Sequence, residues 1–182
     1  MLKFIETLKN IWTIDELKNR ILITLFFLII YRLAAQVVLP GVDYNIISDA
    51  QIAGGGGLLG LLNAFTGGAF ANASVVALGI MPYISASIVV QLMGVALPYL
   101  QKLQKEGESG RKKITQITRW LTIAICVVQA PAYLYGLGAL GVPDAAFVLG
   151  KGPFFIIPSV IILVTGCIFA MWLGEKITDR GI

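Results

Sequence analysis

The chain has 182 residues, of which 57% are hydrophobic and only 13% charged, with a formal net charge of +4 and no histidine. Soluble domains run at about 45–50% apolar and about 25% charged residues, so this composition excludes a soluble globular fold. The missing imidazole also removes the commonest general base and metal ligand from the chain's chemistry.

Residues 1–20 carry Leu2, Ile5, Leu8 and Trp12 at helical spacing, beside Asp15 and Glu16. That pattern predicts an amphipathic helix on a membrane surface, with Trp12 at headgroup level. A cleaved signal peptide is the competing reading of this end. It is disfavoured because its basic region would run about 20 residues and contain Glu6, Asp15 and Glu16, and because several apolar spans follow.

Four apolar stretches then approach or exceed the length of about 20 residues that crosses a bilayer core. They are 21–38, 75–100, 120–140 and 154–173. Lipid offers backbone amides no partner, so each stretch is expected to be helical. A β-barrel would show short alternating segments instead. The expected fold class is all-α, a polytopic membrane protein.

Arg32 is the one charged residue inside those stretches, with Gln36 a turn later on the same face. A guanidinium is costly in hydrocarbon and must face protein or water. Either it anchors carbonyls or acids of the following segment, such as Asp43 or Asp49, or it snorkels to the outer headgroups. The sequence leaves both open.

Residues 39–74 form an unusual external segment. Pro40 and Gly41 end the first span, and Gly54 to Gly57 make a flexible run that lacks the Gly-Lys-Ser/Thr of a phosphate loop. Leu58-Leu-Gly-Leu-Leu-Asn-Ala-Phe65 follows, apolar but short, closed by Gly67 and Gly68. Such a stub cannot cross a membrane. Short half-helices and irregular backbone at membrane depth are tolerated only when buried in protein or lining an aqueous cavity, and they point to transport sites. A loose loop with an apolar patch is the bland alternative.

The second span contains Met81-Pro-Tyr-Ile-Ser-Ala-Ser-Ile-Val-Val-Gln-Leu92, apolar but studded with Pro, Ser and Gln. Ile80, Ile84, Ser87 and Gln91 are spaced four, three and four, so they share one helical face. Small-residue helix packing accounts for residues 85–87 but less well for Pro82 and Gln91. A face passing from apolar collar to polar lining suits a gated pore, because an apolar constriction stops ions by dewetting.

A basic loop, 101–119, separates the second and third spans, and an external loop, 141–153, separates the third and fourth; 174–182 is a short polar end. Twelve Lys and Arg residues lie before the first span, between the second and third, and after the fourth, whereas the two other connections hold one, Lys151. The positive-inside rule therefore puts both ends of the chain in the cytoplasm. The net charge follows from that bias and gives no case for nucleic-acid recognition. Cys126 and Cys167 fall in separate spans and read as small packing residues.

The run Phe65-Thr-Gly-Gly-Ala, then Leu78-Gly-Ile-Met-Pro-Tyr-Ile-Ser-Ala-Ser-Ile-Val-Val-Gln-Leu92, then Lys105-Glu-Gly-Glu-Ser-Gly-Arg-Lys-Lys113, closely resembles the bacterial SecY family, central subunits of the Sec protein-conducting channel. Trp172-Leu-Gly-Glu-Lys-Ile-Thr-Asp-Arg-Gly-Ile182 is similar to the family's fourth span and its exit. The resemblance implies ten helices in two inverted halves around an hourglass pore, with a split second helix whose external half is a plug. Here the plug would be residues 58–68, with Leu58, Leu59, Leu61, Leu62, Asn63, Phe65, Gly67 and Gly68. By motif, Ile80 and Ile84 match two members of the central apolar ring. Ser87, Gln91 and Gln129 are candidate polar residues of a lateral gate formed in part by the second and third helices.

The resemblance further implies that Lys105, Arg111, Lys112 and Lys113 lie on the cytoplasmic side, where the family meets the motor ATPase SecA or the ribosome. Other implied partners are the channel subunits SecE and SecG, signal sequences and translocating polypeptides, and membrane lipid. No cofactor, metal or catalytic residue is implied, and the expected location is the bacterial inner membrane. Four helices supply one wall of such a pore, so the chain reads as the N-terminal part of a longer protein. The tetraglycine is not a family hallmark. The function expected is passive passage of secretory polypeptides and lateral release of membrane segments. A solute transporter and a non-conducting scaffold fragment are the alternatives, and an enzyme would need a nucleophile or metal cluster that the sequence does not offer.

Overall fold

A computed structural model describes residues 15–43, 46, 64, 66–139, 146–147, 150 and 152–181. Residues 1–14 of the expected surface helix lie outside the described residues, as do Leu58, Leu59, Leu61, Leu62, Asn63 and Phe65 of the expected plug. Five helices follow one another: α1 (Asp15–Ala34), α2 (Met81–Ala96), α3 (Pro98–Lys105), α4 (Glu108–Ala139) and α5 (Pro153–Arg180). Among the described residues the only β pairing is two isolated antiparallel bridges, Val38 with Ser74 and Val42 with Phe147. The all-α class expected from the sequence is the class found.

Among the described residues, α4 and α5 are long and apolar enough to cross a membrane, and α2 with α3 makes a third span if that bent pair is taken as one. The first helix begins earlier than the expected span. Asp15 and Glu16 open it, where acids complement the partial positive charge of a helix start, and Arg20 bonds Glu16 one turn back at 3.1 Å. It also ends earlier, at Ala34 rather than at residue 38. Val37 and Leu39 instead exchange backbone bonds with the returning chain, Val75 N–H to Val37 O and Leu39 N–H to Ala73 O, both 2.9 Å. Those partners satisfy backbone groups that a longer helix would otherwise satisfy itself.

The expected second span, 75–100, is interrupted at both ends. Residues 75–80 are turns, and α2 begins only at Met81, with Pro82 in its first turn, where the missing N–H costs nothing. Pro98 drives Leu97 into extended backbone, φ −101° and ψ 120°, because a proline ring clashes with a helical predecessor. The axis consequently bends by 99° between α2 and α3.

The connection expected as a loop over 101–119 is a helical hairpin instead. α3 runs to Lys105 and α4 starts at Glu108, joined through Gly107 at φ +72°, a left-handed conformation that glycine adopts without steric cost. The hairpin closes tightly, since a Cβ on Gly110 would sit 1.7 Å from the Leu103 carbonyl oxygen.

Small residues govern the packing. α2 buries Pro82, Ala86, Val90 and Gly94, and α5 buries Ser159, Gly166, Cys167 and Ala170 along with Leu163 and Met171. Small side chains let helix backbones approach closely where lipid supplies no hydrophobic drive. Gly166 is the extreme case, because a Cβ there would lie 2.0 Å from the Val75 carbonyl oxygen. At one end of the bundle Arg20 donates to the Gly181 carbonyl at 3.2 Å, which brings the start of α1 to the end of α5. At the other, Tyr133, Phe147 and Phe155 pack with Leu39 and Leu137 into the main apolar core.

Candidate functional site

The site is built around the irregular segment 66–80 that leads into α2. Gly67, Gly68 and Gly79 have φ of +62°, +91° and +55°, so the chain turns repeatedly where a membrane helix would run on. Irregular backbone in an apolar setting needs hydrogen-bond partners from elsewhere in the protein, and neighbouring helices provide them. Tyr31 Oη of α1 donates to the Thr66 carbonyl at 3.4 Å. Arg32 Nη1 donates to the Gly67 carbonyl. Tyr133 Oη of α4 donates to the Phe70 carbonyl at 2.7 Å. Within the segment the Phe70 N–H reaches Thr66 Oγ1 at 3.1 Å. Of the two readings open for Arg32, anchoring is the one realised, on a backbone carbonyl; Asp49 lies outside the described residues.

Of the residues named for the expected plug, Gly67 and Gly68 are described, and they form its boundary turn. Ile80 is the residue that caps α2, and the Ile84 N–H bonds its carbonyl at 3.1 Å. Both side chains lie on a face other than the buried Pro82–Gly94 stripe, at 39% and 44% exposure, and are open to whatever stands opposite α2. Ile80 also approaches α5: a Cβ on Gly174 would be 3.4 Å from its Cδ1.

A cleft of about 450 Å³ opens beside Ile80, lined among others by Tyr83, Arg119, Met171, Glu175 and Asp179. Further along α2, Gln91 Nε2 donates to Ser87 Oγ at 3.2 Å, so the structure brings those two gate candidates together. Gln129 lies exposed on α4, and no hydrogen bond among the described residues joins it to either.

The basic residues cluster on the hairpin. Lys105 ends α3, and Arg111, Lys112 and Lys113 occupy the opening turns of α4. Lys112 pairs with Glu108 at 3.7 Å and Lys113 with Glu106 at 3.8 Å, all four well exposed. Glu108, Lys112 and Lys113, with Arg111, Gln116 and Arg119, border a second, open cleft of about 660 Å³.

Four features were missed by the sequence reading. Tyr31 and Tyr133 carry no local signature, and only their partners 35 and 63 residues away reveal them as tethers. The pairing of Arg119 with Glu175 spans 56 residues and has no local signature. Cys126 and Cys167, expected as small packing residues in separate spans, are both buried and adjoin each other between α4 and α5.

The SecY family profile matches residues 74–182. The chain is 44% identical over 167 residues to the protein translocase subunit SecY of Haemophilus influenzae, covering 92% of this chain and 37% of that protein. It is 45% identical over 177 residues to the same subunit of Streptomyces griseus, covering 92% and 40%, and 42% identical over 169 residues to that of Escherichia coli K12, covering 93% and 38%. The chain therefore spans about two fifths of the length of the curated relatives it matches.

Proposed function

This chain belongs to the SecY family, and on that premise we propose that it forms one wall of a passive channel for secretory polypeptides. Residues 58–68 act as the plug, and Ile80 and Ile84 contribute to an apolar ring that stops ions by excluding water. Ser87, Gln91 and Gln129 border a lateral gate through which signal sequences and membrane segments reach lipid. The chain performs no bond-making chemistry; energy comes from SecA or the ribosome, docking at Lys105, Arg111, Lys112 and Lys113. SecE and SecG complete the channel in the bacterial inner membrane, and both ends of the chain face the cytoplasm, where the basic residues concentrate.

One observation carries the proposal. The second apolar stretch is interrupted, and the irregular segment leading into it is tied at Thr66, Gly67 and Phe70 by side chains of α1 and α4 before delivering Ile80 and Ile84 on an unburied face of α2. A helix used only for packing has no need of a broken, tethered entrance. The test is resting ion conductance of the complete channel in lipid bilayers. Deleting 58–65, or replacing Ile80 or Ile84 by Gly, raises it; unchanged conductance in all three removes the gating role.

A further inference from the structure

We propose that Tyr31 and Arg32 are positioning residues that clamp the entrance of α2 and so set the place of Ile80, an inference that rests on the channel function proposed above. Neighbours on a helix point about 100° apart, yet this pair reaches adjacent carbonyls, Thr66 and Gly67. Both accept the bonds in a turn whose glycines hold φ of +62° and +91°, a shape with no regular ladder of its own. Tyr31 also stands near the far end of the segment. A Cβ on Gly79 would meet Tyr31 Oη at 3.6 Å and Thr66 Cγ2 at 3.4 Å.

The last turn of α1 therefore holds one end of the loop that separates Gly67 from Ile80 and stands beside the other. Arg32 also stands at a helix C-terminus, where a cation is favoured. The bond it donates to the Gly67 carbonyl is charge-assisted, and such bonds are roughly twice as strong as neutral ones. Removing Arg32 takes the charged donor from the Gly67 carbonyl, and removing the Tyr31 hydroxyl leaves the Thr66 carbonyl only its 3.3 Å bond from the Ala69 N–H; either change loosens the backbone that leads to Gly79 and Ile80.

The variants are Arg32→Gln, Arg32→Lys and Tyr31→Phe, made in the channel complex containing this chain and reconstituted in vesicles. Two readouts are needed. Amide hydrogen exchange over 66–80 is expected to quicken about tenfold in Arg32→Gln, the factor that a lost hydrogen bond to a charged group implies, with less change in Arg32→Lys and none in the middle of α5. Resting conductance is expected to rise in Arg32→Gln and in Tyr31→Phe, but to add nothing further when Ile80 is already Gly.

Unchanged exchange over 66–80 overturns the clamp whatever the conductance does. A full additional leak in the Ile80→Gly background also overturns it, because the two residues then act independently. If Ile80→Gly alone fails to leak while exchange still quickens, the clamp stands and the ring assignment falls. Tyr31→Phe, which removes a single hydroxyl, carries the test should Arg32→Gln not assemble.

Discussion

Arg119 of α4 and Glu175 of α5 form a two-pronged ion pair: Nε donates to Oε1 at 2.9 Å, and Nη2 donates to Oε2. The pair lies on the wall of the cleft beside Ile80, with the Glu175 side chain mostly covered and Arg119 about half exposed. Exposed pairs contribute about 0.2–1 kcal/mol, and bidentate geometry puts this one at the upper end. A double-mutant cycle on Arg119→Gln and Glu175→Gln should show a coupling of about 1 kcal/mol in denaturant unfolding. Coupling within error of zero would mean that the two helices are held by packing alone.

Gly166 should be the least replaceable glycine of α5. Alanine there drives a methyl against the Val75 carbonyl, and overpacking of this kind costs about 1–3 kcal/mol. Gly136 in α4 has open space at the same position, so Gly136→Ala should be neutral or stabilising by about 0.5–1 kcal/mol. Thermal unfolding of the two variants side by side checks the contrast.

Gly107 tests backbone conformation without contact. No atom lies within 4 Å of an added Cβ, but φ is +72°. Gly107→Ala should cost about 1 kcal/mol through left-handed strain alone, and Gly107→Asn less, since asparagine tolerates that region. An equal loss for both would place the cost in the hairpin's surroundings and not in its backbone.

Orientation is testable against a clean background, because Cys126 and Cys167 are buried and buried thiols react poorly. In intact cells an impermeant maleimide should label Lys151→Cys and leave Lys112→Cys unmodified until the membrane is opened. The reverse pattern would invert the assignment of both ends.

The class of the fold was legible in the letters. Apolar runs separated by Pro, Gly and charge lead directly to helices, and Pro98 and Gly107 mark the bend and the turn by local rules. The hairpin over 101–119 differs from the expected loop because its charges serve topology and helix at once, Glu108 pairing with Lys112 one turn on. What no local rule reaches is the tethering. Tyr31, Arg32 and Tyr133 become informative only once carbonyls distant in sequence are brought beside them. The need for glycine at 166 exists only because Val75 passes against it. Ile80 and Ile84 are two members of the proposed ring, and its closure cannot be read from those two residues.

The stripe of Pro82, Ala86, Val90 and Gly94 along α2 has one last implication. Interdigitated side chains lock a helix in register, whereas a smooth face leaves little to disengage when it slides or tilts. A wall element with so shallow a relief can swing aside and return with few rotamers disturbed, as a movable partition requires.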